Sequence, residues 1–265
     1  MAGHDEIRVA SRADLDRMLA WAADEGWNPG FDDGRAFHAA DPLGFFMAWR
    51  DGERVAAISV VAYEAAFGFL GLYIVRPEFR GRGLGIALWR EALARRHAKL
   101  IGLDGVVAQQ ANYARSGFRL AYRNIRCAGT GPTTATSART TPALVAATEL
   151  PFDRIAAYDR MHFPAARPAF LSLWLSPSNG AALAAVDGGR VSGLGVIRAC
   201  REGFKIGPLF ADEERIADQL FCGLCARAAG ATVFLDVPEP NVKALRLAER
   251  HSLAPVFETA RMYTG

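Results

Sequence analysis

The chain repeats its own pattern on either side of a short segment near its midpoint. Residues 129–142 are almost all Gly, Pro, Ser, Thr and Ala, which is the composition of a linker. The turn signal Asp51-Gly52 recurs as Asp187-Gly188, and the residues around Ser11 resemble those around Thr148. Both repeats are offset by about half of the 265-residue chain and occur in the same order, which indicates a tandem duplication. We therefore predict two similar domains, residues 1–128 and 143–265, joined by the linker 129–142.

Composition narrows the class of protein. Apolar residue types make up 51% and charged types 22%, the profile of a globular protein that needs no disulfide scaffold. A net charge of +3 does not predict nucleic-acid binding, and the four cysteines suit a cytoplasmic location. The N-terminus lacks the apolar segment of a signal peptide. The most apolar stretch, 55–75, carries Glu64 and Gly68, so we interpret it as two strands and expect no membrane contact.

Within the first half, short apolar segments alternate with helical periodicity. Residues 45–50, 54–63 and 67–75 read as a three-stranded meander, with a hairpin turn at Asp51-Gly52. Helical spacing follows from Gly85 to Lys99, and further strands are predicted near 101–107 and 118–127. Strands near 181–186, 190–200 and 203–210 repeat the meander in the second half. This order predicts an α/β fold in which each half has a mixed, mostly antiparallel sheet flanked by helices.

The strongest functional signal is a glycine-rich loop between an apolar strand and an amphipathic helix. It reads Arg80, Gly81, Arg82, Gly83, Leu84 and Gly85. Glycines let backbone N–H groups approach an anion closely, and a helix N-terminus adds unpaired donors and partial positive charge. The Gly-Lys-Ser/Thr of a P-loop is missing, and no parallel βαβ unit surrounds the loop. The pattern therefore predicts a cradle for the diphosphate of a ligand such as a coenzyme.

These residues resemble the signature of the GNAT superfamily of acyl-CoA-dependent N-acetyltransferases. The family pattern Arg/Gln-x-x-Gly-x-Gly/Ala is matched by Arg80, Gly83 and Gly85, and its Val-x-Pro by Val75 and Pro77. A second family element, an Asn followed by a Tyr shortly before Gly-Phe, is matched by Asn112, Tyr113, Gly117 and Phe118. The second half resembles the YitH-type acetyltransferase domain of tandem GNAT proteins.

The resemblance implies that the chain transfers an acetyl group from acetyl-CoA to a primary amine of a small molecule. It places the diphosphate on residues 80–85, with Asn112 at the coenzyme site. It also places a carbonyl-polarising backbone N–H at Ile74 or Val75 and a general acid at Tyr113. Two alternatives stay open: an acyl-CoA-binding sensor or scaffold without turnover, and a protein lysine acetyltransferase.

The sequence departs from the family in its general base. The Glu that many members carry on the third meander strand is absent, because residues 67–73 include no acid. Glu64 precedes this strand, and water-mediated deprotonation by Glu25, Asp32 or Asp33 is the remaining option. The loop after the first helix is expected to form the acceptor pocket with Trp27, Asn28 and Asp32.

The second half lacks the glycine-rich loop. Asp212, Glu213 and Glu214 stand where the anion cradle would be, so we predict one CoA site per chain. Asp159, His162 and Arg167 are further groups that could face a shared groove. Cys222-x-x-Cys225 lies in a helical pattern without a second ligand pair, and no histidines pair at metal spacing, so we expect no metal.

Overall fold

The computed structural model describes residues 5–133 and 142–265. All of the strands in this part of the chain join one sheet. They are β1 (Asp5–Val9), β2 (Phe45–Arg50), β3 (Glu53–Tyr63), β4 (Phe67–Val75), β5 (Leu100–Val106), β6 (Phe118–Thr130), β7 (Ala143–Ala146), β8 (Gly180–Asp187), β9 (Arg190–Ala199), β10 (Phe204–Ala211), β11 (Thr232–Pro238) and β12 (Ala254–Thr264). The helices are α1 (Arg12–Asp24), α2 (Asp33–Ala40), α3 (Leu84–Arg95), α4 (Gln110–Arg115), α5 (Phe152–His162), α6 (Pro168–Trp174), α7 (Glu214–Cys225) and α8 (Val242–Arg250).

The two halves exchange their last strands. The sheet order is β1-β2-β3-β4-β5-β12-β6-β11-β10-β9-β8-β7, so β12 lies between β5 and β6, and β6 lies between β12 and β11. Only β4–β5 and β10–β11 are parallel among the described pairs. The predicted mixed, mostly antiparallel sheet flanked by helices is thus confirmed, and the sheet runs continuously through both halves. Strand β6 extends to Thr130, so it includes the first two residues of the segment that we predicted as linker.

Strands β4 and β5 separate part-way along their length. Their parallel pairing runs from Phe67 with Leu100 to Leu70 with Leu103, and beyond these residues the strands diverge. A β-bulge between β3 and β4 coincides with the divergence, and Leu72 within it has a φ of 48°. The bulge turns the end of β4 away from β5 and opens a cleft between the two strands.

The second half repeats this opening. Pairing of β10 with β11 ends at Ile206 with Leu235, and a register shift follows between Ile206 and Leu209. The corresponding bulge contains Gly207 and Pro208, which are joined by a cis peptide bond.

Helices cover both faces of the sheet. Helices α1, α2, α5 and α6 contribute to one core on one face, and this core includes residues of both halves. Helix α3 covers the first half on the other face, where Leu88 and Trp89 are buried against β3 and β4. Helix α7 does the same in the second half. No helix in residues 5–133 or 142–265 is long and apolar enough to cross a membrane, and the apolar stretch 55–75 forms β3 and β4 as predicted.

Candidate functional site

The glycine-rich loop connects the end of β4 to the start of α3 in a shape that only glycine adopts readily. Gly81 and Gly83 have φ values of 74° and 80°, which lie in the left-handed region. Gly83 caps α3 without any side-chain hydrogen bond to the first turn. The first N–H groups of α3 therefore remain available to an anion, as an anion cradle requires.

Two arginines flank these backbone donors. Arg80 donates from Nε to the main-chain oxygen of Val75 over 2.8 Å, and its Nη2 pairs with Glu25 at the end of α1. The Arg80 side chain is half-exposed, and Arg82 is exposed, with its guanidinium 5.8 Å from the ring centre of Phe79. Both cations therefore lie at the rim of the loop with access to a soluble ligand.

The backbone at the end of β4 has one edge free. Arg76 donates its N–H to Val55 of β3, so the alternation of an antiparallel strand directs the N–H and C=O of Val75 toward the cleft. On that side the Nε–H of Arg80 donates to the Val75 oxygen. The N–H of Ile74 has the same orientation as that of Arg76, toward β3. Of the two residues expected to polarise a carbonyl, Val75 has the orientation that the role requires.

Tyr113 lies beside the open part of β5. Its ring stacks on Trp89 of α3 at 5.7 Å and covers Gly105, where an added Cβ would be 2.2 Å from the Tyr113 ring. Burial, with a smaller effect of Tyr73, raises the pKa of Tyr113 to about 12, so the phenol keeps its proton at working pH. Asn112 points elsewhere: its side chain is exposed and bonds to Gln109 and Arg115.

The predicted acceptor residues lie at the contact between the two halves. Asn28 donates from Nδ2 to the oxygen of Glu202 over 2.9 Å, and Asp32 accepts from the backbone and hydroxyl of Ser178. The main-chain oxygen of Trp27 accepts from Arg126 over 3.1 Å. None of Trp27, Asn28 and Asp32 lines the adjacent cavity. Asn28 and Asp32 thus bond residues of the second half, whereas Arg126 belongs to the first half, and the place of the three residues in the acceptor pocket stays a prediction.

The cavity beside this contact has a volume of about 820 Å³, and we call it the chamber. Its wall includes residues of α1 and α2, residues of α7 and α8, and Gly71 and Leu72 at the bulge of β4. On the other side it reaches Gly207 and Pro208 at the bulge of β10. Both halves therefore form its walls, and it reaches the cleft of the first half where β4 and β5 separate.

Comparison with known proteins agrees with this architecture. A model described as "Acetyltransferase (GNAT) family" matches residues 12–118, and one described as "Acetyltransferase (GNAT) domain" matches residues 155–265. The chain belongs to the GNAT acetyltransferases. Its two GNAT domains stand in tandem, and it is an acyl-transferring enzyme.

Similar proteins span nearly the whole chain. Holothin acyltransferase of Pseudoalteromonas sp. (strain SANK 73390) is 28% identical over 259 residues, which is 97% of this chain and 87% of that protein. A solved Pyrococcus horikoshii structure is 22% identical with a TM-score of 0.79, covering 98% of this chain and 89% of the other. A tandem GNAT protein from the clavulanic acid biosynthesis pathway is 14% identical with a TM-score of 0.65, covering 98% of both chains. The two structures show the shared fold.

Each acid considered as a general base for this GNAT enzyme has a partner or a distant position. Glu25 is paired with Arg80, and Asp32 with Ser178. Asp33 is buried, which by itself would raise its pKa, but Arg198 and the Gly30 N–H outweigh burial and lower the pKa of Asp33. Glu64 is exposed in the turn between β3 and β4. Sequence reasoning missed Arg198, because it lies far along the chain and gives no local motif.

The second GNAT domain has no room for an anion loop. Strand β10 ends at Ala211 and α7 begins at Glu214, whereas residues 76–83 separate β4 from α3. Asp212 accepts from Tyr158 over 2.9 Å and pairs with Arg190, and Glu213 and Glu214 pair with other cations.

Some of the other candidate residues of this domain line the chamber, and others lie outside it. Of the three residues considered for a shared groove, His162 and Arg167 line the chamber, and Asp159 is buried in an ion pair with Arg167. Cys222 and Cys225 are buried free thiols. The fold brings Cys222 near Asp218 and His251, a group that sequence spacing did not reveal. His251 bonds Asp218 over 2.9 Å, and the thiol lies 4.0 Å from that nitrogen.

Proposed function

We propose that the enzyme transfers an acetyl group from acetyl-CoA to a primary amine of a small molecule, at the cleft of the first domain. One observation carries this assignment: β4 and β5 separate beyond Leu70 and Leu103, directly beside a helix N-terminus whose first donors are uncapped. A pantetheine chain needs an open strand edge for its amides, and a diphosphate needs clustered donors. The arrangement offers both within one strand–loop–helix unit.

Each group of residues at the cleft has its own role in this proposal. Arg80, Arg82 and the glycine backbone would hold the diphosphate. The N–H of Val75 is oriented to donate to the thioester carbonyl and to its developing oxyanion. Tyr113 would return a proton to the departing sulfur, a role that needs a protonated phenol, and its raised pKa keeps it protonated. Asn112 keeps only a peripheral role in this proposal.

The acceptor would enter through the chamber, which meets the cleft at Gly71 and Leu72. This path makes the second domain part of the acceptor site. The similarity to a holothin acyltransferase supports a small-molecule acceptor over a protein lysine. A cavity of about 820 Å³ is also of the size that small ligands occupy.

The coenzyme assignment is tested by calorimetric titration with CoA and by thiol release from acetyl-CoA in the presence of amines. Arg82→Glu reverses a charge at the rim of the loop, and we expect it to weaken CoA binding about 10–100-fold, the worth of one charge-assisted hydrogen bond. Arg90→Glu is the matched control. Arg90 is exposed like Arg82, but it lies within α3, more than a turn from the loop. If the two variants lose CoA affinity equally, the diphosphate does not bind at this loop. Binding without any thiol release would instead favour the non-catalytic sensor.

A further inference from the structure

The chamber has aromatic walls. Aromatic rings from both domains line it, among them Phe37, Phe69, Phe163, Phe170, Trp174 and Phe210. Several of them already pack face to face or edge to face. Phe170 stacks on Trp174 at 4.6 Å, and Phe37 lies 5.1 Å from Phe170. Such walls favour a flat, apolar ligand that can stack among them.

Three arginines of the chamber wall are neutralised within the protein. Arg198 pairs with Asp33, Arg167 with Asp159 and Arg261 with Asp104. Each guanidinium also lies over a ring of the chamber: Arg198 is 4.2 Å from Trp174, Arg167 is 3.9 Å from Phe163 and Arg261 is 5.2 Å from Phe69. These cations are therefore occupied and do not call for an anionic acceptor.

The carboxylates of the wall also have cationic partners, and the pair of Asp33 is the buried one among them. Each of them forms an ion pair with a cation of the protein, and they are Asp33, Asp212, Glu213, Glu214 and Asp236. Lys205 of the wall donates to the main-chain oxygen of Asn28 over 2.9 Å and has no ion pair in the part of the chain described. Its charge adds a repulsion for cations. A protonated amine would have to compete with these cations for a carboxylate, which costs free energy.

We infer that the acceptor is a neutral, weakly basic aromatic or heteroaromatic amine. This rests on the proposed acetyl transfer in the first domain and names the class of its second substrate. An amino group conjugated to an aromatic ring holds its lone pair unprotonated at neutral pH, so no carboxylate has to remove a proton before attack. A neutral aromatic amine as acceptor thus explains both the missing acid on β4 and the aromatic walls of the chamber.

The transfer balances without a strong base. The nitrogen lone pair forms the N–C bond to the acetyl carbon, and the C–S bond breaks with its electron pair going to sulfur. One proton leaves the nitrogen, which becomes strongly acidic once it has attacked, and one proton reaches the thiolate. Water can accept the first proton, and Tyr113 is placed to supply the second.

The experiment compares aniline with benzylamine as acceptors for acetyl-CoA across the pH range. Both carry one ring, but only benzylamine is protonated at pH 7. We expect kcat/KM for aniline to be at least ten times that for benzylamine at neutral pH and to be flat with pH. For benzylamine it should rise about tenfold per pH unit, because only the neutral fraction enters.

Other outcomes separate the two proposals. A preference for benzylamine at pH 7, or a flat pH profile with it, overturns the acceptor class while acetyl transfer stands. If neither amine supports thiol release, the acceptor class is overturned. Acetyl transfer is overturned as well only if a panel of aliphatic amines also fails to support thiol release.

Trp174→Leu gives a second readout. We expect the KM for aniline to rise about tenfold with CoA affinity unchanged, the loss that about 1.5 kcal/mol of aromatic stacking implies. Trp21→Leu is the control, since Trp21 packs on the same core without lining the chamber. Equal KM values in the two variants would count against stacking in the chamber. The wild-type comparison with two amines does not depend on either variant.

Discussion

Arg80 donates its Nε–H to the main-chain oxygen of Val75 over 2.8 Å, which joins the glycine-rich loop to the end of β4 beside the cleft between β4 and β5. The same side chain reaches Glu25 at the end of α1. Arg80 therefore fixes the loop relative to the backbone N–H that is proposed to polarise the thioester. The position of the loop and the position of the Val75 backbone are thus linked through one guanidinium.

Replacing Arg80 by Lys tests this coupling. Lys keeps the charge, but it lacks the planar guanidinium that bonds Val75 and Glu25 at the same time. We therefore expect CoA affinity to fall about three- to tenfold and kcat to fall as well. Arg95→Lys is the control, because Arg95 forms an ordinary surface pair with Glu91 on α3. An Arg80→Lys enzyme with wild-type kcat would show that the loop does not set the position of Val75.

Removing the hydroxyl of Tyr113 tests the proton donor. Tyr113→Phe keeps the stacking on Trp89, and we expect kcat to fall about 10²-fold with CoA affinity unchanged. Tyr158→Phe, at a buried tyrosine of the second domain, should leave kcat close to wild type. Because the pKa of Tyr113 is raised to about 12, wild-type kcat should not decline from phenol ionisation up to about pH 10. Equal kcat values in Tyr113→Phe and wild type would leave the ring as packing only.

The number of coenzyme sites follows from the connection between β10 and α7. Strand β10 is followed almost directly by α7, so the second domain has no loop to surround a diphosphate. We predict one CoA per chain at the end point of a calorimetric titration. Two equivalents would show that the β10–β11 cleft binds CoA by another route.

The exchanged strands predict the behaviour of a truncated chain. Residues 1–130 alone would lack β12, leaving facing edges of β5 and β6 without their partner. Unpaired strand edges promote aggregation, so this fragment should be insoluble or inactive. Co-expression with residues 142–265 should restore soluble protein by supplying β12. A soluble, fully active fragment 1–130 would contradict any role of the second domain in the acceptor site.

The buried pair of Asp33 and Arg198 predicts a pH-dependent stability. The pKa of Asp33 is lower in the folded chain than in the unfolded one, so its contribution is present above about pH 4 and is lost as pH falls further. Asp33→Asn should lower the free energy of unfolding by about 3–5 kcal/mol at pH 7. The control Asp16→Asn, in an exposed pair with Arg12, should change it by about 0.5 kcal/mol or less. Urea unfolding at pH 7 and pH 3 measures both, and a loss that is the same at the two pH values would contradict the linkage.

Local sequence determined the strand–loop–helix unit formed by β4, the glycine-rich loop and α3. Gly81 and Gly83 adopt backbone angles that other residues avoid, and an apolar strand before them and a periodic helix after them leave little choice of geometry. The repeat of Asp51-Gly52 at Asp187-Gly188 likewise revealed two similar halves, because hairpin turns depend on neighbouring residues.

Only the tertiary structure decided how the two halves line one cavity. Asn28 and Asp32 have the residue types of a pocket, yet their partners are Glu202 and Ser178 in the other half, a choice that no local pattern encodes. The insertion of β12 beside β5 and the aromatic chamber depend on contacts between residues more than a hundred positions apart. Backbone conformation is set by neighbours in sequence, whereas burial and pairing of side chains are set by whichever distant surfaces the complete fold brings together.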